Sequence, residues 1–250
     1  MKAMILAAGL GTRLRPLTDT RPKALVEING RTLLEITLTG LRIFGITEVI
    51  INVHHFADQV IDYLKSHKNF DMRIEISREE VLLDTGGGLK KAAWFFLEDP
   101  AHLDEPFLLH NVDVLSTIDL QRMVQFHIEK QALATLAVQR RESSRLLLFD
   151  DEPRLCGRMY VRDQEAEKAE MVRFSPKLEP FAFSGIHLIS PRLLPQLTEE
   201  GIFSIIPAYL RLAAQGQRIL AFRADAYYWR DLGRPADLAQ ATLDFQQNIF

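Results

Sequence analysis

The chain has a single cysteine, Cys156, among its 250 residues. One thiol excludes an intramolecular disulfide framework and any zinc site built from several cysteines, and it suits a reducing compartment, so the cytoplasm is the expected location. Long apolar runs are missing as well. "FLLHNVDVL" and "RILAFRADAYYW" are broken by polar groups, well short of the ~18 to 20 residues of a membrane helix, so no membrane partner is expected. "MKAMILAAG" has the charged start of a signal peptide, yet its apolar run breaks at Gly9 and Gly11. Neither low-complexity segments nor internal repeats occur. A surplus of positive charge is also absent: 30 Lys and Arg stand against 33 Asp and Glu, for a net charge of -3. With no global basic field, nucleic acid is not an expected partner, and any anion site must be local.

What is present is a 47% hydrophobic composition, enough to bury one large core. Strand-like runs at 3–8, 48–53, 72–77, 106–112 and 133–139 alternate with helical periodicity at 31–45, 56–67, 87–97 and 119–130. Leu33, Leu34, Leu38, Leu41 and Phe44 form one apolar stripe on the first of these helices. Alternation of this kind predicts a mostly parallel sheet covered on both faces, with every strand-to-helix loop at one edge. After about residue 140 the pattern changes. "SRLLLFDDEPRLCGRMYV" reads as an antiparallel hairpin, followed by a buried strand at 181–190, short helices from "PRLLPQLTEEG" and "SIIPAYLRLAAQG", a strand "RILAFRAD" and a final helix 235–250. The expectation is one domain, 1–250, with a small β-rich insertion.

The segment "AAGLGTRLRPLTDTRPKAL", residues 7–25, concentrates three arginines, one lysine, two glycines and two prolines behind the first strand. Gly9 and Gly11 allow a sharp turn that brings backbone N–H groups close to a ligand, while Arg13, Arg15 and Lys23 supply charge for phosphate oxygens. Neither familiar phosphate loop accounts for it: a dinucleotide fingerprint needs a third glycine where Leu14 stands, and the GK[ST] of a P-loop is absent. Gly11→Val is expected to block triphosphate binding and leave the fold intact. Asp113 ends the apolar run "PFLLHNVD", and Asp231 lies after a later strand. Two carboxylates converging at one sheet edge would repel each other unless a cation or proton intervened, and magnesium suits one or two carboxylates plus phosphate oxygens. Each aspartate could instead cap a turn or pair with an arginine. His54, His55, His110 and His187 fit no common ligand spacing and read as structural.

From Leu6 through Lys23 the chain resembles the amino-terminal signature of the sugar-1-phosphate nucleotidyltransferases, L-A-A-G-x-G-T-R-[LM]-x-P-L-T-x-x-x-P-K. "LLDTGGGLKKA", "HNVDV", "FSGIHLIS" and "YWRDLGRPADL" extend the likeness along almost the whole chain. The resemblance implies a Rossmann-like three-layer α/β/α fold, with a nucleotide-binding part (1–140) and a sugar-binding part (141–250). It further implies an enzyme that joins a nucleoside triphosphate to a sugar 1-phosphate and releases pyrophosphate. On this resemblance Arg13 and Lys23 are catalytic, and Leu6, Ala8, Gly9, Gly11, Thr12, Gly86 and Gly87 hold the nucleotide. Asn111, Ser184 and Gly185 hold the sugar, and Asp113 and Asp231 ligate Mg2+. Glu79, Glu80 and Asp84 stand where relatives that use uracil or thymine often have glutamine, so the base stays open. Many relatives carry Glu-Gly or Glu-Lys shortly before "FSGIH", and Glu170 and Glu179 are candidates for that acidic residue. The short form is most similar to single-domain uridylyltransferases of N-acetylmuramate 1-phosphate, a cell-wall sugar. Guanylyl or cytidylyl transfer to mannose, heptose or glucose 1-phosphate and a non-catalytic nucleotide-sugar sensor are the alternatives. Oligomeric state is left undecided.

Overall fold

Alternating apolar residues in each central strand face two different cores, and this organises the molecule. A computed structural model describes residues 1–100, 103–162 and 165–247. In β1 (Ala3–Leu6), Ala3 and Ile5 pack into one core and Met4 into the other; in β4 (Glu48–Val53), Val49 and Ile51 part from Ile50 in the same way. A strand buried on both faces needs a helical layer on each side.

Between these strands lie a two-strand hairpin, β2 (Glu27–Ile28) and β3 (Arg31–Thr32), and helix α1 (Leu33–Ile43). The expected helix 31–45 therefore starts later, because Arg31 and Thr32 pair with β2 and the Thr32 hydroxyl caps α1 by accepting from the Glu35 N–H at 3.0 Å. Next come α2 (Ala57–Ser66), β5 (Arg73–Arg78), α3 (Asp84–Leu97), β6 (Phe107–Asn111), β7 (Val114–Ser116), α4 (Leu120–Glu129) and β8 (Ala134–Gln139). The insertion consists of β9 (Arg145–Phe149), β10 (Leu155–Arg162) and β11 (Glu165–Met171), the last not foreseen from sequence. Then follow β12 (Glu179–Ile189), α5 (Ile205–Ala214), β13 (Ile219–Arg223), β14 (Trp229–Asp231) and α6 (Pro235–Gln246). The expected helix in "PRLLPQLTEEG" is a 3-10 turn, Pro191–Gln196, with Pro195 inside it. Residues 248–250 of the expected last helix lie outside the described residues.

The result is a mixed, mostly parallel central sheet. Strands β6, β1, β4 and β5 run parallel, as do β8 and β13, whereas β12 is antiparallel to β6, β8 and β9. Helices α1, α2, α4 and α6 contribute to the core on one face; α3 and α5 contribute to the other. Register brings Leu6 opposite both Asn52 and Asn111, so the carboxyl ends of β1, β4 and β6 form one rim. That is where open α/β sheets bind ligands. Because β12 lies against β6, both halves of the chain share this sheet.

Candidate active site

Two cavities open along this rim and share Asn111. The first, about 360 Å3, is lined by Leu6, Ala8, Gly9, Asn52, Asp84 and Thr85, with Lys23 and Asp113 also in its wall. Asn52 fixes the first loop: its amide oxygen accepts from the Ala7 N–H at 2.7 Å, and its amide nitrogen donates to Glu79 at 2.8 Å. The second cavity, about 1010 Å3, is bounded by Arg13, Arg141, Arg158, Ser184, Gly185, Trp229 and Asp231.

Between the cavities sits a compact charged cluster. The Lys23 ammonium donates to the Asp113 carboxylate, and Lys23 is only 8% exposed. Asp231 reaches the same place by a route the sequence does not show. Its strand, β14, pairs with β7 rather than joining the main sheet, with Asp231 opposite Val114, and the Leu232 N–H donates to the Asp113 carbonyl at 2.8 Å. Burial first, and the negative charge of Asp113 second, push the Asp231 carboxyl above the ordinary aspartate range, although Lys23 and Arg13 oppose the shift. A Cβ placed on Gly233 would lie 2.4 Å from Asp231 Oδ1 and 2.6 Å from Arg13 Nη2, so these groups converge over a glycine that leaves them room.

Lys23 and Arg13 only partly offset the repulsion between the two carboxylates, since the Asp231 carboxyl stays raised. Such a pair, together with phosphate oxygens and water, suits a divalent cation. Among the described residues no group of three or more histidine, cysteine, aspartate or glutamate side chains could hold a metal, so the remaining ligands would have to come from substrate and solvent.

The family pattern for nucleotidyl transferases matches residues 2–146. The chain belongs to the nucleotidyl transferase family. It is 33% identical over 241 residues to N-acetylmuramate alpha-1-phosphate uridylyltransferase of Caulobacter vibrioides, covering 93% of this chain and 92% of the relative. It is 31% identical over 260 residues to mannose-1-phosphate guanyltransferase beta-B of Xenopus laevis, covering 100% of this chain and 66% of that one. Its fold matches HddC from Yersinia pseudotuberculosis complexed with GMP-PN, with a TM-score of 0.74 at 21% identity over 98% of this chain and 99% of that one. An apo UDP-glucose pyrophosphorylase gives a TM-score of 0.75 at 18% identity, covering 100% and 99% of the two chains.

In this nucleotidyl transferase, Leu6, Ala8, Gly9, Lys23, Asn111 and Asp113 line the first cavity, and Arg13, Ser184, Gly185 and Asp231 the second. Other expected residues are placed differently. Gly11 and Thr12 lie on the loop but line neither cavity, and the Arg15 side chain, 68% exposed, pairs with Asp19 at 3.3 Å. Gly86 and Gly87 sit inside α3 rather than before it. Their N–H groups, left unpaired by the first helical turn, donate to the Phe203 carbonyl at 2.9 and 3.1 Å. The helix margin presents Asp84 and Thr85 to the cavity instead. Glu79 is 2% exposed and bonded to Asn52 and the Leu83 N–H, so it supports the wall from behind. Glu170 pairs with Arg158 and Glu179 with Arg140, and neither lines either of these two cavities. Of the four histidines, His110 bonds to the Asn111 carbonyl and His187 to the Tyr209 hydroxyl, each at 2.8 Å. Burial pushes them down to about 4 and about 3, which keeps both neutral at pH 7. Asn52, Arg141 and Gly233 were missed. A lone asparagine in "EVIINV" was the one available sign of the first, since a buried strand tolerates an amide only where something bonds it.

Proposed function

We propose that this protein transfers a nucleotidyl group from a nucleoside triphosphate to a sugar 1-phosphate, with UTP and N-acetylmuramate 1-phosphate as its preferred pair. The observation that carries this reading is the Lys23–Asp113–Asp231 cluster at the junction of two cavities of unequal size. The first cavity draws its walls mainly from residues 6–113 and takes the nucleotide. The second draws them mainly from residues 141–237 and takes the sugar.

Both substrates are polyanions, and bringing them together is the main barrier the protein must lower. An anionic oxygen of the sugar phosphate attacks the α-phosphorus in line. One phosphorus–oxygen bond forms while the bond to the β-phosphate bridging oxygen breaks, and pyrophosphate leaves with the electron pair. No general base is required, since the attacking oxygen is already ionised. Lys23 neutralises charge at the α-phosphate, and Arg13 meets the departing pyrophosphate. Asn52 holds Ala7, and through it the loop that faces the base. Asp113 and Asp231 would hold Mg2+, which when bound neutralises phosphate charge at the reacting centre. A cytoplasmic setting, where Cys156 stays reduced, fits these substrates.

The test is pyrophosphate release with magnesium across a panel of nucleoside triphosphates and sugar 1-phosphates. UTP with N-acetylmuramate 1-phosphate is expected to give the highest kcat/KM. GTP is the main competitor, because guanyltransferases are among the relatives. No release with any pair would refute the reading.

A further inference from the structure

Arg141 is a cation without an anion. Its guanidinium stacks on the Trp229 ring, 3.7 Å from the centroid, and one Nη donates to the Phe183 carbonyl at 2.7 Å, but its Nε is buried with no hydrogen-bond partner. No carboxylate among the described residues forms an ion pair with it. Burial works against its charge, and Asp231 only partly offsets this. Leaving a guanidinium N–H unsatisfied and its charge unpaired in a partly buried wall is costly, and an anion in the cavity would offset the charge. Close by, the Ser184 hydroxyl is also buried and unpartnered, and the Ser184 carbonyl accepts from the Trp229 indole at 2.7 Å. Both residues belong to the wall of the second cavity.

Position separates this pair from the reacting centre. Trp229 precedes Asp231 by two residues in β14, which in an extended strand is a step of roughly 7 Å. A sugar whose 1-phosphate rests at Asp113 and Asp231 would extend its ring toward Arg141, where a ring substituent and not the phosphate would meet the guanidinium. From this we infer that Arg141 is the receptor for a carboxylate carried on the sugar ring, and that the substrate is an acidic sugar 1-phosphate. The planar fork of arginine matches a carboxylate in two-point geometry. N-acetylmuramate has such a carboxylate on its lactyl ether, whereas N-acetylglucosamine is the same sugar without it. The inference rests on the nucleotidyl-transfer reading above.

The experiment compares acidic and neutral partners on wild type, Arg141→Gln and Arg141→Lys, using N-acetylmuramate against N-acetylglucosamine 1-phosphate and glucuronate against glucose 1-phosphate. Wild type should prefer the acid of at least one pair. In Arg141→Gln that preference should fall on the order of 10- to 100-fold, the worth of one charge-assisted contact, while KM for the triphosphate holds. Arg141→Lys, which keeps the charge but loses the fork, should fall between. Equal losses on acidic and neutral sugars would assign Arg141 to the 1-phosphate and overturn the proposal, as would a wild-type preference for the neutral sugars; nucleotidyl transfer would survive either result. If no pair reacts at all, the transfer reading fails separately. Calorimetric titration with free N-acetylmuramate and free N-acetylglucosamine then decides the receptor: selective weakening of the acid in Arg141→Gln supports it, and no difference refutes it. Thermal melting confirms that each variant is folded.

Discussion

Lys23 and Asp113 stand 90 residues apart in the chain and meet as a shielded ion pair at the junction of the two cavities. Removing one partner strands the other charge in a poorly solvated place. Lys23→Met should lower stability by about 1–3 kcal/mol, less than for a fully buried pair because Asp113 retains some solvent contact. It should also reduce kcat/KM by at least about 100-fold. The double variant Lys23→Met/Asp113→Asn should recover part of the stability and none of the activity. Chemical denaturation and pyrophosphate release would check both; additive stability losses would show that the pair is not coupled.

Asp231 should trade stability for function. Its folded-state pKa is raised, so the native state binds its proton more tightly than the unfolded chain does. Stability in the absence of divalent cations is then greatest at low pH with respect to this group. It declines as pH rises from the ordinary aspartate value through the raised one. Asp231→Asn should remove that slope and raise the melting temperature at neutral pH in chelator, while abolishing catalysis. A melting temperature that drops at neutral pH would contradict this sign.

Gly9 and Gly11 should respond differently to substitution. A Cβ on Gly9 meets nothing within 4 Å and would enter the nucleotide cavity, so Gly9→Val should fold normally and lose triphosphate affinity. Gly11 has φ +64, and its Cβ would lie 2.9 Å from the Thr18 methyl. Contrary to the expectation from sequence, Gly11→Val should disturb the loop itself, at a cost of about 1–3 kcal/mol. Thermal melting beside nucleotide titration separates the two behaviours.

Gly86 makes a third contrast. Its Cβ would fall 2.3 Å from the Phe203 ring, so Gly86→Ala should loosen the packing of the loop before α5 against α3. The expected signature is a lower melting temperature, with protease cleavage near residues 201–204. Nucleotide affinity should change only as a consequence. An intact loop with lost nucleotide binding would restore the direct role that the sequence had suggested for this glycine.

Legibility from sequence followed the range of the interactions. The first loop stood out because its features are local: glycines behind a strand, then cations at short spacing. Asp113 was readable for the same reason, at the end of an apolar run. Asp231 was expected to follow a strand of the main sheet, whereas it lies in β14, which pairs with β7 across nearly half the chain, and no local pattern encodes that pairing. In "DTGGG" the three glycines argue by propensity for a helix that begins after them. Tertiary contact with Phe203 moves the start back to Asp84, because only glycine permits that approach. Arg141, within "QRRESSR", was not singled out, because the Trp229 ring it stacks on comes from far along the chain.

The β7–β14 ribbon makes the proposed reaction centre a joint product of distant sequence. Residues 2–146, the stretch that matches the family pattern, include Asp113 but end well before Asp231. Nor do they include β12, the neighbour of β6 in the sheet. A gene cut at that boundary would encode a fragment with half of its carboxylate pair, and a fusion or split version would regain chemistry only when the missing tail docks back along β7. The short ribbon thus makes the placement of Asp231 beside Asp113 depend on the last third of the chain.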